Sequence, residues 1–298
     1  MSLKSLKVEA ECAACILSRA AAEAAAATAN PALRFRAMNE LLRLLSREFR
    51  PTAVPADLGT KRDRIIKRVT GNADPYKWSK KISNERALKL LPYTRKLVEE
   101  GYLQQDRFKM ACLCAIVGNV IEFDIPDHKF TFNSLRVLFR EAGKDLAVDD
   151  TSKIYELAKK AHVVLYLADN AGEIVFDTLL VEQMKNMGLT VIVGVKGEPV
   201  INDAVLEDAE VSGMSKIADK VITTGTDTVG LALHEVSADF LDVYNSVDLV
   251  LAKGMGYAET LTEYKLKKPH ALLFRTKCNP VANFFGVPRE RNVAKLMP

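Results

Sequence analysis

Five short apolar runs rich in β-branched residues punctuate the second half of this chain: HVVLYLA, TVIVGVK, KVITT, DLVLAK and ALLFRTK. Helical stretches lie between them. Strands separated by helices connect through crossovers, which makes them parallel and covers the sheet on both faces. The pattern predicts an α/β protein, with a three-layer α/β/α domain and a mostly parallel sheet over residues 156–298. Residues 1–155 read differently. Apolar positions in CILSRAAAEAAAATA, ALRFRAMNELLRLLSREF, ERALKLLPYTRKLVEEG and DRFKMACLCAIVGNVIEF recur at three and four, which predicts an all-helical N-terminal domain, 1–155, ahead of the sheet. RPTAVPADLG and GNADP read as loops between its helices.

With 298 residues, 48% of them hydrophobic, the chain can bury a substantial core. A net charge of +4 with both signs interspersed gives no basis for nucleic-acid or polybasic membrane binding, so small molecules are the expected partners. No apolar run approaches the roughly 18 residues of a spanning helix, and MSLKSLKVEAECAACI lacks the continuous apolar segment of a signal peptide; the expectation is a cytoplasmic protein. Five cysteines, an odd number, suit reduced thiols or a metal site better than a disulfide framework.

The residues after each run carry the chemistry. Asp169 and Asn170 follow the first, Lys196 and Gly197 the second, Gly225 the third, Lys253 and Gly254 the fourth, Lys277 and Cys278 the last. Ligands of open α/β sheets bind beyond the carboxyl ends of the strands, so these groups are expected on one rim. In ADNAGEIVFD two readings meet. Asp169 or Asn170 can cap the helix that follows, but one cap leaves Glu173 and Asp177, four apart on the same helical face, unexplained. A carboxylate beside an amide oxygen also suits a hard divalent cation, which takes a few compact oxygen ligands and keeps several waters. Asp203, in KGEPVINDA after the second run, is either another cap or a third oxygen ligand on an adjacent strand tip. Lys253, followed by Gly254 and Gly256, offers an ammonium where an anion has room to approach the backbone.

DNAGEIVFD, KGEPVINDA, LAKGMGYAE and TKCNPVANFFGV, in this order, resemble the damage-control phosphatase family, metal-dependent phosphatases formerly filed as a domain of unknown function. ECAACIL, DPYKWSK and AIVGNVIEF extend the resemblance through the helical half, to the subgroup with an N-terminal C-x-x-C. The resemblance implies that Asp169, Asn170 and Asp203 coordinate a divalent metal such as Mg, Mn, Co or Ni. It implies that Lys253, with Gly254 beside it, faces the substrate phosphate, and that Asn119 of the GN motif lies near the site. The implied substrate is a small phosphorylated metabolite, such as a sugar phosphate or a damaged phosphometabolite. Tyr257 departs from the pattern, since many relatives have an Asn soon after the glycines.

The expected chemistry is hydrolysis of a phosphate monoester, with Asp169, Glu173 and Lys253 as catalytic groups. The cation polarises a phosphate oxygen and Lys253 stabilises the transferring oxygens. The attacking group is a metal-activated water or Asp169 itself, and Glu173 or Asp177 accepts the proton. One alternative is a non-catalytic nucleotide or sugar-phosphate binding module, against which carboxylates without a metal would repel the ligand. A methyltransferase using S-adenosylmethionine is another, although DNAGE holds one glycine where several are expected. Cys12, Cys15 and Cys278 read either as packing residues or as a second metal cluster short of a fourth ligand. Cys112 and Cys114 belong in a helix core, and His162 and His234 read as structural.

Overall fold

Prolines open two of the first helices, because a proline at the first helical position lacks only an N–H that would be unpaired anyway. The computed structural model of the chain describes residues 5–119 and 132–297. The N-terminal helical region comprises α1 (Glu11–Ala27), α2 (Pro31–Glu48), α3 (Pro55–Thr70), α4 (Lys77–Glu99) and α5 (Gln104–Gly118), and it precedes the sheet. Asn30 caps α2 by accepting the N–H of Ala32, and Gly71 ends α3 in the left-handed conformation. The stretch RPTAVPADLG is only partly a loop: Pro55 to Gly59 form the first turn of α3, since Pro55 starts a helix as readily as it breaks one. Residues 120–123, the end of the motif AIVGNVIEF, lie outside the described residues.

After α6 (Phe132–Glu141) come β1 (Leu146–Asp149), α7 (Thr151–Ala158), β2 (Val163–Leu167), α8 (Glu173–Asn186) and β3 (Thr190–Val195). Then follow α9 (Leu206–Val211), α10 (Met214–Ile217), β4 (Lys220–Thr223), α11 (Ala238–Ser246) and β5 (Leu249–Lys253). The chain closes with α12 (Gly254–Leu261), β6 (His270–Arg275), α13 (Asn279–Phe285) and β7 (Asn292–Met297). The described strands form one sheet in the order β1-β7-β6-β5-β2-β3-β4. From β6 to β4 neighbours are parallel; β7 runs antiparallel to β6, and β1 lies parallel to β7 at the edge. The five runs picked out by composition are β2 to β6.

Two cores sandwich the sheet. On one face Val164, Tyr166, Val191, Leu249 and Leu251 pack with Phe108, Cys112 and Cys114 of α5 and with Phe176 and Leu180 of α8. On the other, Leu165, Leu167, Val250 and Ala252 pack with Phe240 of α11, Tyr257 of α12 and Val281 of α13. A third, smaller core joins α1, α2 and α3 through Ala20, Ala37, Leu41, Leu58 and Ile66. The boundary expected at residue 155 therefore falls inside a core, because β1 precedes it and α4 and α5 cover the sheet beside α8. Apolar faces of α4 and α5 are as readily buried by a sheet as by other helices, so periodicity alone does not separate the two arrangements.

Candidate active site

In the order β5-β2-β3, strand β2 sits between a strand that follows it at once and one that returns much later. That is a switch point, where the loops leaving neighbouring strands diverge and open a crevice. Asp169 and Asn170 leave β2 there. The backbone then ties the next strand's loop to this turn: Asn170 and Asp203 form an antiparallel bridge, Ala171 N–H donates to Asn202 O at 2.9 Å, and Ala204 N–H donates to Asp169 O at 2.7 Å. Neither Asp169 nor Asn170 caps α8. Its N-cap is Gly172 at φ 78°, with no side-chain cap, so both side chains are left for other partners.

Those partners are close. Asn119, at the C-terminal end of α5, donates through Nδ2 to Asp169 Oδ2 at 2.7 Å and to Glu173 Oε2 at 2.6 Å. Asn170 Nδ2 donates to the same two oxygens at 2.8 and 2.9 Å. Behind them, Lys253 Nζ donates to Glu173 Oε1, to Asp177 Oδ1 at 2.9 Å and to Ala115 O at 2.7 Å. A second buried ammonium serves Asp203: Lys196 Nζ donates to Gly230 O at 2.6 Å, lies 3.5 Å from Asp203 Oδ2 and rests 4.7 Å above the Tyr257 ring.

Four carboxylates thus gather around two ammonium groups. Burial pushes the Asp169 carboxyl well above the usual carboxylate range, and the neighbouring Glu173 and Asp203 push in the same direction. Burial also raises Asp203 to about 6, against the pull of Lys196, and Asp177 to about 6, against that of Lys253. An oxygen-only cluster with surplus negative charge at the edge of a cavity suits a hard divalent cation. Asp169, Asn170 and Asp203 are the residues positioned to hold one. Among the described residues no three of His, Cys, Asp and Glu form a ready metal cage; this set differs in taking one donor from an amide.

A cavity of about 390 Å³ opens on the cluster, lined at that end by Asn119, Asp169, Asn170, Asp203 and Lys277. Glu173, Asp177 and Lys253 do not line it. Lys253, 0% exposed, follows Leu249 and Leu251 onto the face covered by α5 and α8, where the groups it meets are the buried acids Glu173 and Asp177. Gly254 does what was expected of a glycine but for another group: at φ 83° its missing side chain leaves room for the Asp169 carboxylate, which a Cβ would meet at 1.9 Å. Glu173 and Asp177 share one face of α8, where both meet Lys253, and neither lines the cavity.

Cys12, Cys15 and Cys278 all line the cavity wall as free thiols. Cys15 is exposed, so it is not core filler, and the three do not converge as a metal cluster among the described residues. Burial raises the Cys12 thiol and pushes Cys278 up to about 11, which keeps both protonated at neutral pH. Cys112 and Cys114 are buried in α5, and His162 and His234 lie at the surface. The one glycine in the turn after β2, Gly172, faces Ser83, where a Cβ would meet Ser83 Cβ at 2.8 Å. Helix packing occupies the place where a nucleotide-binding turn would keep its backbone open.

Sequence patterns did not reveal the far wall. Arg19 from α1, Arg62 from α3 and Glu259 from α12 reach the cavity from three distant segments. Burial raises Glu259 to about 8, partly offset by Arg19. A folded carboxyl raised above its unfolded value favours the native state at low pH, and that advantage is lost as pH rises from about 4 toward 8. Glu259→Gln should therefore raise the melting temperature at pH 9 and change it little at pH 5. An equal effect at both values would show that Glu259 is ionised throughout.

Residues 8–293 match the damage-control phosphatase ARMT1-like domain. The chain belongs to this family. It is 35% identical to a damage-control phosphatase of Archaeoglobus fulgidus, over 98% of this chain and 100% of that one. A damage-control phosphatase of Pyrococcus horikoshii is 35% identical over 95% of this chain and 96% of its own. An uncharacterised protein of Methanocaldococcus jannaschii is 36% identical over 97% and 95%. The crystal structure of a DUF89 family protein from Pyrococcus horikoshii superposes with a TM-score of 0.87 at 34% identity, covering 97% of this chain and 98% of that one. The family match thus spans both the sheet and the helical region that walls the cavity.

Proposed function

We propose that this protein is a metal-dependent phosphatase acting on small phosphate monoesters. The observation that supports it most is the backbone stitching of two strand tips, which sets Asp169, Asn170 and Asp203 side by side on the wall of a cavity. When bound there, a divalent cation supplies Lewis-acid polarisation of a phosphate oxygen. The chain's own groups do the rest. Lys277 lines the same cavity as Asp169, and we assign its ammonium to neutralising the phosphate. Asn119 and Asn170 fix the Asp169 carboxylate by holding one of its oxygens. Glu173, pinned by Lys253, keeps both amides in register. Leu6, Ile16 and Val281 form an apolar flank for the organic part of the ester, and the volume of about 390 Å³ suits a small metabolite.

The reading is tested with p-nitrophenyl phosphate and metal-stripped protein, titrated separately with Mg²⁺, Mn²⁺, Co²⁺ and Ni²⁺. Hydrolysis should appear only on adding one of these ions. Full activity in excess chelator would overturn the metal requirement, and no hydrolysis with any ion would overturn the phosphatase itself. In the same assay Gly254→Ala should lower kcat/KM by on the order of 10²-fold, because a Cβ at that position displaces the Asp169 carboxylate and misplacements of about 1 Å carry penalties of that size. Unchanged kinetics would mean that Asp169 does not depend on the Gly254 turn.

A further inference from the structure

Ile201 stands two residues before Asp203 with φ 42°, in the left-handed region, where a β-branched side chain is strained. Such a conformation persists only where its surroundings over-determine it. The restraint comes from α3, 138 residues away in sequence. Asp63, 0% exposed, accepts the Ile201 N–H at 3.0 Å through Oδ1. One helical turn on, Lys67 Nζ lies 2.8 Å from Asp63 Oδ2 and donates to Pro199 O at 2.7 Å. Asp227 holds that ammonium in turn at 3.0 Å. The pair therefore grips the loop at Pro199 and at Ile201. On the other side of Ile201, Asp203 N–H donates to Val200 O at 3.0 Å, and the loop joins the turn after β2 through the Ala171 and Ala204 hydrogen bonds. Asp63 does not line the cavity; it reaches the site through the loop it holds and, as a like charge, through the field it adds at Asp203.

We infer that Asp63, aided by Lys67, is a positioning residue: it holds the strained Ile201 turn and thereby sets Asp203 against Asp169 and Asn170. The inference rests on the reading of Asp203 as a metal ligand and adds the group that aims it. Partners behind a ligand commonly govern metal affinity by 10- to 100-fold on the order-of-magnitude scale.

The experiment titrates Mn²⁺ calorimetrically into metal-free wild type, Asp63→Ala, Asp63→Asn, the double variant Asp63→Ala with Ile201→Gly, and Asp203→Asn. It also follows amide hydrogen exchange across residues 200–203 without metal. Asp63→Ala should weaken Mn²⁺ binding by about 10-fold or more and speed exchange at Ile201. Asp63→Asn removes the same charge but keeps an acceptor oxygen for the Ile201 N–H, so it should bind Mn²⁺ clearly more tightly than Asp63→Ala. The added glycine adopts φ 42° without strain, so the double variant should recover much of the lost affinity. Should Asp63→Ala not fold, Lys67→Met removes the grip on Pro199 and reads the same property. Wild-type Mn²⁺ affinity in these variants, with only a lowered melting temperature, would overturn the inference while loss of binding in Asp203→Asn left the metal reading standing. Undiminished Mn²⁺ binding in Asp203→Asn would remove that reading and the inference together.

Discussion

Asp203→Asn should lower kcat/KM for p-nitrophenyl phosphate by about 10³-fold, the equivalent of several kcal/mol of lost Lewis-acid stabilisation. The substitution conserves the volume of a side chain that is 4% exposed and keeps an oxygen within reach of Lys196, so packing gives no reason for collapse. Electrostatics argues for the opposite. Burial holds the metal-free Asp203 carboxyl at about 6, above its unfolded value. Its native-state advantage is complete below pH 4 and lost as pH rises through 6, so at pH 8 the wild type carries an ionised, desolvated carboxylate. The amide does not. Metal-free Asp203→Asn should thus melt at or above the wild-type temperature at pH 8 while losing activity and Mn²⁺ affinity. Wild-type turnover in the variant would remove Asp203 from the site.

Lys253→Met is the second large effect, and it separates two roles for the same residue. If Lys253 faced phosphate, the variant would fold normally and fail only in turnover. Its surroundings point elsewhere: Nζ is the shared partner of Glu173 and Asp177, which are 2% and 0% exposed. Removing one member of a buried ion network leaves the others uncompensated, at a cost of about 3–5 kcal/mol. Urea denaturation at pH 8 should show a loss of that size. Asp177, already raised to about 6 by burial with Lys253 present, rises further without it and takes a proton as pH falls. The gap between variant and wild type should therefore narrow at pH 5. Wild-type stability combined with slow turnover and intact Mn²⁺ binding would restore the phosphate-facing role.

The two predictions differ because the acids involved lie at different depths. Asp203 and Asp169 border the cavity, whereas Lys253, Glu173 and Asp177 form the layer behind, between β5, α8 and α5. A charged network in that second layer keeps Asn119 and Asn170 oriented without touching solvent. The same division explains why one strand-tip lysine, Lys277, reaches the cavity while another, Lys253, does not.

Much of this was legible in the chain itself. Runs such as VVLYL and LVLA are apolar throughout, a pattern that suits a strand covered on both faces, and the helices between them imply parallel order. Parallel order brings the carboxyl ends of neighbouring strands together, so these tips were expected on one rim, while the bridge between Asn170 and Asp203 decided that Asp203 joins Asp169 and Asn170. Strands β1 and β7, at one end of the sheet, were not legible. LAVD is four residues long and alternates in exposure, and NVAKLM carries Asn292 and Lys295 among its apolar residues, so neither reads as a run buried on both faces. Nor did the sequence decide where α4 and α5 go, because an apolar helical stripe is satisfied equally by a helix or a sheet. The direction of Lys253 is a matter of strand parity, which assigns it to the face of Leu249 and Leu251; only the folded chain shows that α8 covers that face with Glu173 and Asp177. The far wall of the cavity, from Arg19, Arg62 and Glu259, and the grip of Asp63 on Ile201 join segments that are remote in sequence. Such contacts have no period and no motif, since they depend on how α1 and α3 dock against the loops of the sheet, and docking is a property of the assembled surfaces.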